Sequence, residues 1–348
     1  MTLRRRQLLS AHIVIDSALM TLLWVHGATA QTTVDRAYVG FTYTHGTRIG
    51  SRGVQLADTP QVDVRLPTVP IFLGDTILLP SLGYEARGSG VNAQGAAATL
   101  SDDERHRTFH AFQLGLTLIR RLTPDWMITF GASGTTRTDF EQRYDLGLDT
   151  TWAGYVVANH RIGGDPAVSL SFGLVGTYPY DFSPIFPLVG FTYRKGPYVV
   201  DLTVPRVALL IKPTDGLELG VTGAFDRQVY RTGLPSEYQN LGAQYVRETA
   251  LRAGIAANVQ LGGSDLWLNS SIGLDFLNDY ELLDGDRDRV ANHPNDSTRP
   301  TPFVRLMLSW RPPRRAPQSK PRAAQSLPAP FEQSAPRTAS AATIATRF

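Results

Sequence analysis

The sequence predicts an all-β protein: a transmembrane, antiparallel, up-and-down β-barrel of about 14 strands with long outer loops and short periplasmic turns. Three observations carry this expectation. Apolar and polar residues alternate with period two from Ala37 onward, and helical periodicity is almost absent. The minor phase of that alternation is rich in Gly, Ser, Thr and Ala with isolated charges, a composition that suits a crowded polar lumen. The connections between alternating runs switch regularly between short and long.

The N-terminus reads as an address. Arg4, Arg5 and Arg6 precede an apolar stretch, Ile13–Val25, and Ala28–Ala30 offers a small-residue cleavage site. Residues 1–30 are therefore expected to be a signal peptide cleaved after Ala30. Asp16 interrupts the apolar stretch, which falls short of the roughly 20 residues a spanning helix needs.

The body, residues 31–310, is expected to be the barrel. Phe112, Leu114, Leu116 and Leu118 alternate with Gln113, Gly115 and Thr117. Val168, Leu170, Phe172 and Leu174 alternate with Ser169, Ser171 and Gly173, and Leu251–Val259 behaves in the same way. Successive side chains of a strand point to opposite faces, so each run has one apolar and one polar face. A soluble sandwich also alternates, with its apolar face inward. Run lengths of about ten residues and the turn pattern favour a membrane barrel instead.

Short connections such as "RIGGDPA", "RKGPY" and "LGGSDLW" carry the Gly, Pro and Asp residues of tight hairpins. Polar stretches near Gly46–Thr59, Ala86–Arg107, Gly134–Thr150, Arg227–Gly242 and Asn278–Thr301 form the long set. Strands centre near Phe41, Val64, Ile77, Leu116, Ile128, Val156, Phe172, Val189, Val200, Leu209, Val221, Ile255, Ile272 and Leu306. Two places are weak: Gln61–Leu79 is broken by prolines, and Val199–Ile211 makes only short strands. If one of these pairs does not span, the count falls to about 12.

The last run, Thr301–Trp310, places Val304, Leu306, Leu308 and Trp310 on one apolar phase. An alternating final strand ending on an aromatic resembles the signal read by barrel-assembly machinery. Residues 311–348 follow it, rich in Pro, Ala, Ser and Arg and without periodicity, and are expected to be a disordered periplasmic tail. That tail holds seven basic residues against Glu332, a charge of +6, and the first thirty residues carry +2. The whole chain carries +3, which leaves −5 for the barrel. The basic balance is thus in the ends, and a nucleic-acid partner is not expected. The expected partners are outer-membrane lipid, the assembly machinery and, for the tail, the peptidoglycan layer.

Phe186–Arg231, "FPLVGFTYRKGPYVVDLTVPRVALLIKPTDGLELGVTGAFDRQVYR", resembles a group of uncharacterised bacterial outer-membrane β-barrel proteins, a family of unknown function. The shared pattern is a proline-led strand with Gly and Tyr, a short basic turn, a strand ending in Pro, and a strand opened by a short turn. Leu114–Phe140 resembles an earlier part of the same group. The resemblance implies a barrel in the Gram-negative outer membrane and no chemistry.

Catalytic residues are not evident, and no cofactor or metal is expected. There is no cysteine, which excludes disulfides, thiolate metal sites and a lipoprotein anchor. His160, with Ser169 and Ser171 on the next strand, is the best pair for a lipid-modifying enzyme, although a polar turn histidine is the commoner explanation. Asp284–Arg289, "DGDRDR", is acidic enough to suggest calcium, but it lacks the glycine and closing glutamate of a calcium loop and reads as a solvated loop. The polar phase carries Asp201, Glu218, Asp226, Glu248, Arg252, Asp275 and Arg305. Charges inside a membrane segment face the interior, where they pair or line a water path. The sequence therefore implies a non-enzymatic barrel, either structural or a passive pore with an acidic lining. A lipid-modifying enzyme and a soluble periplasmic β-protein are the alternatives.

Overall fold

The structure, a computed structural model, describes residues 37–49, 54–90, 106–165, 167–179, 185–233, 242–290 and 296–311. The expected signal peptide, its cleavage site and the tail beyond Arg311 lie outside the described residues.

Fourteen strands form one closed antiparallel ring. They are β1 (Ala37–Thr44), β2 (Thr59–Pro67), β3 (Thr76–Gly90), β4 (His106–Arg121), β5 (Trp126–Thr138), β6 (Thr150–Arg161) and β7 (Val168–Tyr178). They continue as β8 (Ile185–Lys195), β9 (Tyr198–Thr203), β10 (Arg206–Thr214), β11 (Leu217–Arg231), β12 (Tyr245–Gln260), β13 (Leu266–Leu283) and β14 (Thr301–Trp310). Each strand pairs with the next, and β14 returns to β1 in a register running from Ala37↔Trp310 to Thr44↔Phe303. Both ends of the ring therefore lie at the same rim, the short-turn rim. Each strand centre read from the sequence falls within one of these strands, and both weak hairpins belong to the ring.

The distribution of side chains is inverted relative to a soluble β-protein. Phe41, Leu114, Phe130, Phe172, Val221, Ile255 and Ile272 are exposed on the outside. Thr42, Gln61, Asp63, Arg87, Glu248 and Asp275 are buried on the inside. Unsatisfied backbone groups are costly in hydrocarbon, and a closed ladder leaves no edge, so this arrangement is that of a transmembrane barrel. The interior is tightly filled in places: a Cβ on Gly131 would collide with the Tyr155 ring, whose hydroxyl bonds Thr117 Oγ1 at 3.0 Å.

The strands run further into the long-loop side than the sequence suggested. β3 continues to Gly90, β5 to Thr138, β11 to Arg231 and β13 to Leu283, all within stretches read as loop. The physical reason is that their polar side chains are paired within the barrel, so polarity there does not mark a loop. In contrast, β9 has 6 residues and β10 has 9, joined across Val204 and Pro205. The register ends at Gly190↔Thr203 on one side and at Arg206↔Ala224 on the other, while β8 and β11 continue beyond it.

The long-loop end is drawn together where the wall is low. Arg231 of β11 pairs with Thr138 of β5, although these strands lie almost opposite each other in the ring. In this region both faces of the sheet are buried. Phe225 and Arg227 share the outward phase of β11 with the exposed Val221, yet they are 8% and 4% exposed. The β11–β12 end has left the lipid face and leans across the lumen.

Candidate functional site

Each charged residue read as lumen-facing is on the inner phase, and each has a partner. Asp201 accepts from Arg194 Nη2 at 3.2 Å and from Thr203 Oγ1 at 2.7 Å. Glu218 accepts from Asn258 Nδ2 at 3.0 Å, and Asp226 from Gln228 Nε2 at 2.9 Å. Glu248 forms a bidentate ion pair with Arg87 and accepts from the Tyr280 hydroxyl at 3.2 Å. Arg252 donates to Asp275 at 2.8 Å, and Arg305 to Asp63 at 2.7 Å and Thr42 at 3.4 Å. Charges held away from water need such partners, so the network follows from the desolvation they would otherwise suffer.

Only the Arg252–Asp275 pair has both partners among the residues expected from the sequence; the counter-ions Arg194, Arg311, Arg87 and Asp63 of the other four are not among them. Arg87 lies in the stretch expected to be a long loop and Glu85 just before it, but "YEARGSG" continues the alternation of β3 and puts both inside. Tyr230 shares the inner phase of β11 with Glu218 and Asp226, whereas Asp63 and Arg194 lie on strands that carry none of the expected charged residues. The Tyr230 hydroxyl stands between Gln228 and Glu85 Oε1, the latter at 3.3 Å, and its ring centroid is 4.6 Å from that of Phe109.

The long-loop end is closed by a second set of contacts. Arg231 reaches Asp149 at 3.5 Å, and the Tyr245 hydroxyl donates to the Leu148 carbonyl at 3.3 Å. Arg287 donates to the Leu148 carbonyl at 3.0 Å and to Thr151 Oγ1 at 3.1 Å. Thr232 and Arg107 both bond Asp139. These contacts carry β11, β12 and the β13–β14 connection onto β5, β6 and the turn before β6.

The short-turn rim holds a latch made of side chains. Arg311 follows β14 directly, at the start of the segment expected to be tail. It turns inward, donating to Glu218 at 2.9 Å and Asn269 at 2.6 Å, with its guanidinium 4.5 Å from the Trp267 ring centroid. Trp267 faces inward and is 8% exposed, as its phase with Asn269 and Asp275 required. On the outside, Val304, Leu306, Leu308 and Trp310 are exposed.

Between the latch and the outer closure lies a cavity of about 360 Å³. Its lining includes the Arg194–Asp201 and Arg305–Asp63 pairs and the apolar Val199, Leu210, Ala256 and Phe303. Seven arginines and five carboxylates line it, so the acidic bias expected from the sequence is not what this cavity presents. The difference comes from Arg65, Arg137, Arg194, Arg206 and Arg311, which line the cavity beside the charged residues expected from the alternation.

The enzyme pair does not assemble. The His160 ring stacks on Trp126 on the outward phase, centroids 4.5 Å apart, while Ser171 faces inward and donates to Asn159. In "DGDRDR", Asp284 accepts from the backbone N–H groups of Asp286 and Asp288, and among the described residues no His, Asp and Glu cluster could hold a metal ion. Two carboxylates outside the strands are held below their ordinary range. Asp58 is lowered by the Tyr43 hydroxyl and by the Gly46 N–H at 2.7 Å. Asp165 is lowered by the Ala167 N–H at 2.9 Å and then by Lys195.

Fold and site together define a transmembrane β-barrel with a charge-paired lumen. No family model matches the chain, so the resemblance seen in Phe186–Arg231 extends only to barrel architecture. No curated protein matches it either. Among solved structures, the chain is similar to an outer membrane channel from Pseudomonas putida F1, with 13% identity over 81% of this chain and 98% of the other and a TM-score of 0.39. It is also similar to the P. putida toluene transporter TodX, with 7% identity over 81% and 91% and a TM-score of 0.37. LpxR from Salmonella typhimurium matches at 9% identity over 78% and 99%, with a TM-score of 0.31.

Proposed function

We propose that this chain resides in the outer membrane and acts as a non-catalytic, passive route for small solutes, narrow at rest. The observation that carries this reading is the lumen cavity, which lies between two closures made by side chains and strand ends. A plug of that kind opens by breaking a few ion pairs rather than by unfolding the wall. Planar-bilayer recording tests it: small, infrequent conductance steps are expected, and an absence of channel events at any voltage sinks the reading.

A structural role in the envelope is the second reading, favoured by the density of internal pairs around Arg87, Glu248 and Arg252. The lipid-modifying alternative loses its best pair, since His160 and Ser171 lie on opposite faces of the wall. We further assign β14 as the strand presented to the assembly machinery, and the basic segment after Arg311 as facing the anionic peptidoglycan layer. Pull-down of murein sacculi with and without that segment tests the latter, and equal retention refutes it.

A further inference from the structure

The barrel wall is not of uniform height. At about 3.3 Å per residue and a tilt near 40°, the 6 residues of β9 rise roughly 15 Å, against an apolar band of about 25 Å. The hairpin tip at Val204 and Pro205 thus falls at membrane depth. The lumen cavity lies directly behind this tip, being lined by Pro205, Arg206, Val207 and Phe225. Phe225, one residue past the last β10–β11 register pair, is buried on a phase that elsewhere meets lipid, which shows that the wall changes course there.

Arg206 stands at this sill. It is on the inner phase of β10, it is exposed, and no carboxylate among the described residues forms an ion pair with it. Arg65 and Tyr38 face the same cavity within electrostatic range of it. An anion beside Arg206 meets a positive charge that has no carboxylate counter-ion, and Arg65 adds to the positive potential there. A guanidinium with a neighbouring hydroxyl suits a carboxylate, while Val199, Leu210 and Ala256 on the adjacent wall suit an apolar body.

We propose that the low wall above the β9–β10 hairpin is a lateral portal between membrane and lumen, and that it admits amphipathic acids, with Arg206 and Arg65 receiving the carboxylate. This deepens the conduit reading by naming an entrance and a ligand class, but the portal requires no ion conduction.

The protein contains no cysteine, so single reporters are clean. Bimane would be placed at Thr203→Cys, inside at the sill, at Thr129→Cys, inside behind a tall wall, and at Val221→Cys, outside. In nanodiscs with doxyl-labelled acyl chains, quenching at position 203 is expected to reach at least half that at 221, with little at 129. Quenching at 203 no greater than at 129 overturns the portal. For the ligand, octanoate is expected to bind in calorimetry on zwitterionic nanodiscs, octylamine not to bind, and R206Q to weaken octanoate tenfold or more. Equal binding of the acid and the amine, or an unchanged R206Q, overturns the ligand class. A silent bilayer recording with positive quenching would reject the conduit and leave the portal standing.

Discussion

The guanidinium of Arg311 lies 4.5 Å from the ring centroid of Trp267, just past the end of the last strand. The same side chain neutralises Glu218, which is buried at the short-turn rim. A residue outside the β-ladder thus completes the lumen network. R311Q is expected to lower stability by about 2 kcal/mol, since it removes a charged hydrogen-bond donor from a buried carboxylate. Truncation after Arg311 is expected to keep wild-type stability. The midpoint of heat-modifiable gel migration reads both, and a truncation as damaging as R311Q would contradict the assignment.

The Arg87–Glu248 pair is nearly dry, with side chains 6% and 7% exposed. E248Q is expected to cost about 3 kcal/mol, because Arg87 keeps its charge without a counter-ion. Replacing both partners, as R87M with E248L, should recover most of that loss. Denaturant unfolding in detergent measures each variant, and a double variant worse than E248Q would show that the pair stabilises in its own right.

Asp58 ties together the β1 end and the following turn. Its folded pKa is depressed, so its contribution is present above the ordinary value of 3.8 and is lost as pH falls through the lower folded value. The Gly46 amide resonance is expected to hold steady from neutral pH to about 4 and to move only below that. In D58N the acid transition should be absent. A Gly46 shift near pH 6 would assign the event to another group.

The crossing at the long-loop end gives a fourth test. R231Q combined with Y245F removes contacts to Asp149 and Leu148, and is expected to raise unit conductance or open probability severalfold. A disulfide between R231C and T138C, which pair across the ladder, should hold conductance at or below wild type. A locked barrel that conducts more than wild type would place the restriction elsewhere.

Much of this architecture is legible in the chain. Strict alternation in runs such as Phe112–Leu118 fixes which side chains face lipid, and the turn residues fix the hairpin order. Even Trp267, an unexpected inward aromatic, follows from its phase with Asn269. Partnership is not legible. Arg87 and Glu248 are 161 residues apart, and no local pattern joins them. Loop boundaries failed for a related reason: at a polar lumen, the sequence loses the apolar signal on one face and gains no other. Arg311 was missed because its neighbours Pro312 and Pro313 read as tail.

The bridge between Arg231 and Thr138 also bears on assembly. Among the described residues every other pairing in the ring joins neighbours around the circumference, and the ladder can close without this one. A newly inserted molecule with its ladder complete but the bridge unmade is closed by the Arg311 latch at the short-turn rim and not yet at its long-loop end. Maturation of this barrel is then a sealing step that follows insertion, and permeability of the host membrane should be greatest while synthesis outpaces that step.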